Sequence, residues 1–485
     1  MNTIKSLKPE TLWNNFYELT QIPRPSKKEE KAAAFAKAFG EKLGLETIVD
    51  DAGNVIIRKP ASPGMENLMG VVLQGHLDMV PQKNSDKNHD FEKDPIETII
   101  DGEWVKANGT TLGADNGIGV AAAMAVLQDK TLKHGPLEVL LTIDEETGMT
   151  GAFELKPGLL KSDILINLDS EDEGELYIGC AGGMNTTGIL KYKEEAVPAG
   201  MIAFKVSVTG LKGGHSGLDI NLGRGNANKI MNRFLWAARE LGIRISSIEG
   251  GSLRNAIPRE AFALVVIPST NKVKFLNLVN ECQAVFSNEF ASPDLGLKIE
   301  AETAPIPAKI MEPVAQSNLI KVVYGIPNAV MRMSPEIAGI VETSTNLAIV
   351  NVQDGEAKIL CLLRSSVDSA KFSLGHMTQS VMELGGMQVT HDGTYPGWKP
   401  NVNSVILKTM KDVYNKKFGK IPEVKVIHAG LECGIIGGAY PKMELISFGP
   451  TIRFPHSPDE KVNIATVGKF YDFLTETLES IPKKK

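Results

Sequence analysis

Residues able to bind a metal or move a proton stand where the apolar runs of this sequence stop. In VVLQGHLDMVP, three apolar residues lead into His76 and Asp78, two positions apart. EVLLTIDEETG delivers Glu145 and Glu146, ILINLDS delivers Asp169, and GTTLGADNGIG sets Asp115 just before an apolar helical stretch. Far along the chain, SFGPTIRFPHSPDE puts His456 in a loop after another apolar run. Residues i and i+2 of a strand face the same side, so His76 and Asp78 read as a pair aimed at one place. Several carboxylates in one low-dielectric pocket would repel and resist ionisation. Divalent cations resolve that conflict, and imidazole with carboxylate is a zinc-type ligand set. One aspartate can then bridge two ions roughly 3.5–4 Å apart, the arrangement of two-metal hydrolases. Taken singly, each piece has a bland reading: a strand-end Asp caps the next helix and a Glu pair faces water. Their joint occurrence, each at the end of a separate run, points to metal-assisted hydrolysis.

The elements that must position these groups alternate. Residues 27–44 read as a helix, NVIIRKP and GVVLQGHLD as strands, and 116–129 as a helix reached through an irregular stretch. LEVLLTI and DILINLD are continuous apolar strands, as in a sheet covered on both faces. This is an α/β pattern, and sites in such sheets form at the carboxyl ends of strands. From about residue 200 the order becomes βαββαβ, followed by a Pro-rich linker, APIPAKIMEP, and a second, similar order with a helix near 316–325, paired strands, a helix over 369–385 and a strand, so that 187–397 reads as two α+β halves with weak repetition. After YPGWKP the α/β pattern resumes, with a helix over 401–418, two strands and a C-terminal helix over 460–480. The expected division is residues 1–186 and 398–485 in one domain, interrupted by 187–397 in another.

With 485 residues, 42% of them hydrophobic, two domains are expected. A formal charge of −6 argues against a nucleic-acid or anionic-membrane partner. The N-terminal stretch lacks a signal-peptide apolar block, and IGVAAAMAVL is about half of a membrane span. Four widely separated cysteines with no CxxC suit reduced thiols. A cytoplasmic protein is expected. The glycine-rich segments do not fit a phosphate loop.

QGHLDMVP, GTTLGADNGIGVA, DEETGMTGA, INLDSEDEGELYIGCAGG, KGGHSG, RNAIPREAF, YPGWKP, HAGLECG and PHSPDE together resemble the M20 metallopeptidases. They are most similar to the cytosolic aminoacyl-histidine (Xaa-His, beta-alanyl-histidine) dipeptidase branch. CAGG, YPGW and HAGLECG are the branch-specific segments. The resemblance implies a mixed-sheet zinc-peptidase domain interrupted by an α+β lid of two ferredoxin-like halves. It implies His76, Asp115 and Asp169 on a first metal, and Asp115, Glu146 and His456 on a second. The metals are expected to be Zn2+, with Co2+ or Mn2+ as alternatives. Asp78 would orient His76. Glu145 would be the general base toward a water between the ions, returning the proton to the leaving amine. A cis peptide after Asp115 is also implied.

In the lid, the resemblance makes His215 an oxyanion donor and gives Asn255 and Arg364 the polar ends of a dipeptide. Read by themselves, His215 is also a turn residue among glycines, Asn255 a turn former and Arg364 a surface ion-pair partner. His428 and Glu432 are candidates for the pocket wall, Glu432 toward the substrate's amino group. His89, His134, His376 and His391 read as ordinary packed or surface residues. The substrate implied is an Xaa-His dipeptide, and a homodimer is the expected assembly. An N-acyl-amino-acid deacylase or carboxypeptidase of the same fold is the alternative, and an inactive scaffold the distant one.

Overall fold

The computed structural model describes residues 3–484 and divides into two compact units. Unit 1 holds Met1–Gly179, Trp398–Val426 and Leu431–Lys485; unit 2 holds Cys180–Gly397 and Ile427–Gly430. The break expected at 186/187 would have cut the strand Gly182–Lys191, which pairs along its length with Glu356–Ser365. Pairing, invisible in local composition, moves that boundary to residue 180.

The main sheet of unit 1 has eight strands, ordered Glu46–Val49, Val55–Lys59, Leu137–Thr142, Val71–His76, Ile164–Asn167, Glu444–Ser447, Glu175–Cys180 and Glu423–Ile427. The central four are mutually parallel. Leu137–Thr142, Val71–His76 and Ile164–Asn167 are buried at every position, which explains their unbroken apolar character. Their carboxyl ends lie side by side, with His76 opposite Thr142 and Gln74 opposite Asn167. The helix Ala114–Gln128 packs on this sheet through small residues, with non-helical backbone at Asp115 and Asn116 and a cis Asp115–Asn116 peptide. Gly75 allows the approach, since a Cβ there would sit 2.2 Å from Asn116 Oδ1.

The stretch after His76 is not irregular throughout. Thr98–Asp101 and Trp104–Ala107 form a four-stranded antiparallel sheet with Lys461–Asn463 and Ile452–Arg453. That pairing brings the loop carrying His456 beside the chain leading to Asp115. Short strands with long sequence separation leave little periodicity to read.

Unit 2 contains one nine-stranded sheet. Strands Met201–Thr209, Arg244–Gly250, Ala261–Pro268 and Lys298–Ala304, with helices Ala227–Ala238 and Lys272–Glu289, make a complete βαββαβ set. Its sheet order, fourth-first-third-second, is the ferredoxin-like one. The second set uses Val341–Gln353, Glu356–Ser365 and Gln388–Tyr395, with helices Pro313–Gly325 and Asp368–Leu384. Its missing first strand is Gly182–Lys191, which precedes the first set in sequence. One half is therefore inserted into the other, and the two join edge to edge where Ile248–Gly250 pairs with Val350–Val352. The expected Pro-rich linker is partly a strand, with Lys309–Met311 pairing to Glu194–Ala196.

Candidate metal centre and its supports

The carboxyl ends of the parallel strands gather the expected ligands in unit 1. His76 ends its strand with Nε2 3.2 Å from Asp115 Oδ1 and 3.3 Å from Asp169 Oδ1. His456 Nε2 lies 3.3 Å from Asp115 Oδ2 and 3.0 Å from Glu146 Oε2. Asp115 thus turns one oxygen toward each histidine. His76, Asp115 and Glu146 each offer a ligand atom within 4.8 Å of the others. Asp78 is not placed by strand pleating, because the strand stops at His76. Its carboxylate is held by Ser26 Oγ (2.8 Å) and by the backbone N–H groups of Glu145 (3.0 Å) and Glu146 (3.2 Å). His76 Nδ1 approaches both the Asp78 backbone carbonyl, at 3.1 Å, and its Oδ1, at 3.4 Å. One aspartate therefore ties the orientation of His76 to the loop that presents both glutamates.

The electrostatics describe a cluster in want of positive charge. Burial raises the Asp169 carboxyl to about 7, with His76 only partly offsetting it. Burial likewise drives Glu145 well above the usual carboxylate range, against the pull of His76. Hydrogen bonds to Asp115 and Glu146 raise His456 to about 11. Burial alone would lower His76, but Asp169, Asp115 and Asp78 hold it well above its ordinary value. Burial opposes ionisation of Asp115, yet the two histidines keep it well below the usual range. In addition, Glu146 Oε1 is buried without a hydrogen-bond donor, and Asp169 Oδ1 has only the His76 ring beside it, without good hydrogen-bond geometry. Protons on the imidazoles do here what cations would do, and orphaned carboxylate oxygens beside imidazoles fit a divalent metal.

Several supports escaped the sequence reading. Glu460, 2% exposed, accepts the backbone N–H groups of Leu112 (2.7 Å), Gly113 (2.9 Å), Ala114 (2.7 Å) and Asp115 (3.2 Å). Buried Arg24 donates to the carbonyls of Leu77 (2.8 Å), Asp78 (3.0 Å) and Gly113 (2.6 Å). Between them these two residues clamp the Asp115 loop to the His76–Asp78 loop. Below the site, Gln74 accepts from Asn167 Nδ2 (2.6 Å) and donates to Glu432 Oε2 (2.6 Å), which also accepts from Thr142 Oγ1 (2.8 Å). Glu432 is 1% exposed and raised to about 7 by burial, so it lies in the floor under His76. Glu171, two residues past Asp169, is raised to about 8 by burial and by Asp115 and Asp169. Contacts to backbone groups leave no residue-type pattern, and only the PHSPDE segment hinted at Glu460.

The expected lid residues form their own group in unit 2. His215 Nδ1 accepts the backbone N–H groups of Gly217 (3.2 Å) and Leu218 (3.0 Å). Burial and the nearby Arg364 lower its pKa, so the ring is neutral with its proton on Nε2. Arg364, 5% exposed, donates to Ser216 Oγ (3.3 Å) and Tyr395 Oη (3.1 Å) and is not a surface residue. His428 contacts Ser344 Oγ at 2.7 Å and is pushed down to about 3 by burial, Arg364 and His215. Asn255 is exposed, and its backbone carbonyl accepts from Ser216 N–H (2.8 Å). His134 is packed against Gly135 O, and His391 contacts Thr186 Oγ1, both outside these clusters.

Comparison with known proteins places the chain in a family. Residues 72–480 match the model of peptidase family M20/M25/M40. The chain is 48% identical to the cytosol non-specific dipeptidase of Escherichia coli (strain K12), over the full length of both. It superposes on the crystal structure of aminoacylhistidine dipeptidase from Vibrio alginolyticus with a TM-score of 0.96 at 50% identity, covering 100% of this chain and 99% of that one. Aminopeptidase PepT from Bacillus cereus shares the fold at a TM-score of 0.58 and 16% identity, with 98% and 99% coverage. Among the described residues, no helix is long and apolar enough to cross a membrane. This chain is a peptidase hydrolase and belongs to peptidase family M20/M25/M40.

Proposed function

We propose that the protein is a metal-dependent dipeptidase acting on dipeptides with free amino and carboxyl termini, including those ending in histidine. The observation that carries this reading is Asp115, whose two oxygens are divided between His76 and His456. His76, Asp115 and Asp169 would hold one divalent ion, and Asp115, Glu146 and His456 a second; the nitrogen–oxygen donor set favours zinc. When bound, such ions polarise the scissile carbonyl and lower the pKa of a coordinated water.

The chain's own residues supply the remaining steps. Glu145, whose carboxyl the buried surroundings hold basic, accepts a proton from the attacking water and delivers it to the leaving amine. Asp78 fixes the His76 ring. In unit 2, the Nε2–H of neutral His215 is left free to donate to the oxyanion, since its Nδ1 is already occupied. Arg364 receives the substrate's carboxylate, and Asn255 contributes a polar contact at the substrate's other end. Within unit 2 His428 braces Ser344, and within unit 1 Glu432 supports the strand ends under His76.

The Escherichia coli relative is named non-specific and the Vibrio protein an aminoacylhistidine dipeptidase, which supports broad tolerance of the first residue with histidine accepted at the second. The test compares beta-alanyl-histidine with N-acetyl-histidine on zinc-loaded and chelator-stripped protein. Cleavage of the free-amine dipeptide alone, abolished by chelation and restored by zinc, is expected. Cleavage of the acetylated compound alone would make the protein an N-acyl-amino-acid deacylase instead.

A further inference from the structure

The segments CAGG (180–183), YPG (395–397) and HAG (428–430) meet around one ring in unit 2. Ala181 N–H donates to the carbonyls of Ile427 (3.1 Å) and Ala429 (3.0 Å), joining the first segment to the third. Tyr395 lies against both. A Cβ on Gly183 would fall 2.4 Å from Tyr395 Cε1 and 2.6 Å from its Oη, and one on Gly430 3.1 Å from Cε2. Fully buried Lys371 donates to the Tyr395 carbonyl and to Asp368 Oδ1 (2.8 Å), which also accepts from Gly397 N–H (3.1 Å). The ring is thus packed between two glycines on an anchored backbone.

At that position the Tyr395 hydroxyl accepts from Arg364 Nη1 at 3.1 Å. Among the described residues nothing accepts the hydroxyl's own proton, and the side chain is partly open to solvent. Arg364 is itself unusual. Its guanidinium is almost fully buried, no carboxylate comes within ion-pair distance among the described residues, and its polar neighbours are Ser216, Tyr395 and neutral His215. Nη2 faces His215 Nε2 at 3.5 Å, but that nitrogen carries a proton and cannot accept. A buried cation without an anion is costly, so the surroundings are built for an anionic ligand. A phenol that accepts from a cation becomes a stronger donor toward that ligand.

We propose that Tyr395 is the second donor of a carboxylate subsite. Its O–H binds one oxygen of the substrate's C-terminal carboxylate while Arg364 binds the other. This rests on the dipeptidase reading, in which Arg364 receives that carboxylate. Tyr395 is then a specificity-determining residue: it separates a free C-terminus from a blocked one.

The experiment uses zinc-loaded full-length protein, wild type and Tyr395→Phe, with beta-alanyl-histidine and beta-alanyl-histidinamide as substrates. Wild type is expected to favour the free acid. Tyr395→Phe should raise KM for the acid by roughly tenfold or more, since a hydrogen bond to a charged group is lost. Its kcat/KM for the amide should stay within about twofold, a margin far below one such hydrogen bond. An equal loss on acid and amide, or no loss on either, would overturn the assignment of Tyr395 while leaving Arg364 untouched. A wild type that cleaves acid and amide equally well would instead remove the carboxylate reading of Arg364, and this proposal with it.

Discussion

Replacing Glu460 by glutamine tests whether the Asp115 loop is held from outside the metal centre. Glu460 Oε2 accepts from Leu112 and Gly113, and Oε1 from Ala114 and Asp115. A glutamine of the same shape has one carbonyl oxygen, so in either orientation its NH2 group faces two backbone donors. Each buried donor left unpaired costs about 1–3 kcal/mol, giving roughly 2–6 kcal/mol against local closure of the loop. At about 1.4 kcal/mol per tenfold, even the lower figure speeds amide exchange of the loop about 30-fold. Hydrogen exchange of the peptide covering 112–115, read by mass spectrometry on metal-free protein, is the assay. Exchange elsewhere in unit 1, such as Leu137–Thr142, serves as the reference. The same variant should bind zinc more weakly by titration calorimetry, because Asp115 would no longer be presented in one place. Unchanged exchange at 112–115 together with wild-type zinc affinity would refute the reasoning.

Two further outcomes are expected. Glu145→Gln should retain the metal content of the wild type, measured by mass spectrometry of the metals, yet lose about 10²–10⁴-fold in kcat, the range for a general base; near-normal turnover would remove Glu145 from that role. His428 is neutral when folded, with its pKa lowered from 6.5 to about 3, so its stabilisation is complete above 6.5 and is lost as pH falls toward 3. At pH 4.5 the deficit is about 2–3 kcal/mol, and His428→Gln should lack that part of the acid sensitivity in urea unfolding at pH 7.5 and 4.5; identical losses in both proteins would count against it.

Legibility differed sharply between the candidate ligands and their supports. His76, Asp115, Glu146, Asp169 and His456, which the fold brings close together, stood out as candidates because the chemistry restricts residue type and the strand ends restrict position. The apolar runs before them are buried on both faces and so carry an unbroken hydrophobic signal. Asp78 was found for an incomplete reason: it lies beyond the strand, and Ser26 with the two glutamate amides fixes it. Arg24 and Glu460 could not be found, since both bind backbone groups that every residue possesses. In unit 2, the order of elements revealed two α+β halves but not that Gly182–Lys191 completes the later one. Strand pairing depends on register across an inserted half, and no local period records it. Arg364 shows the same division most clearly. Sequence supplied a guanidinium that suited either a surface ion pair or a carboxylate ligand, and burial without an acidic neighbour among the described residues removes the first of these. Which groups are able to bind a metal or move a proton was legible from residue type, because charge and ligand type reside in single residues. Which of those charges lack a partner emerged with the folded chain, because that depends on every segment packed around them.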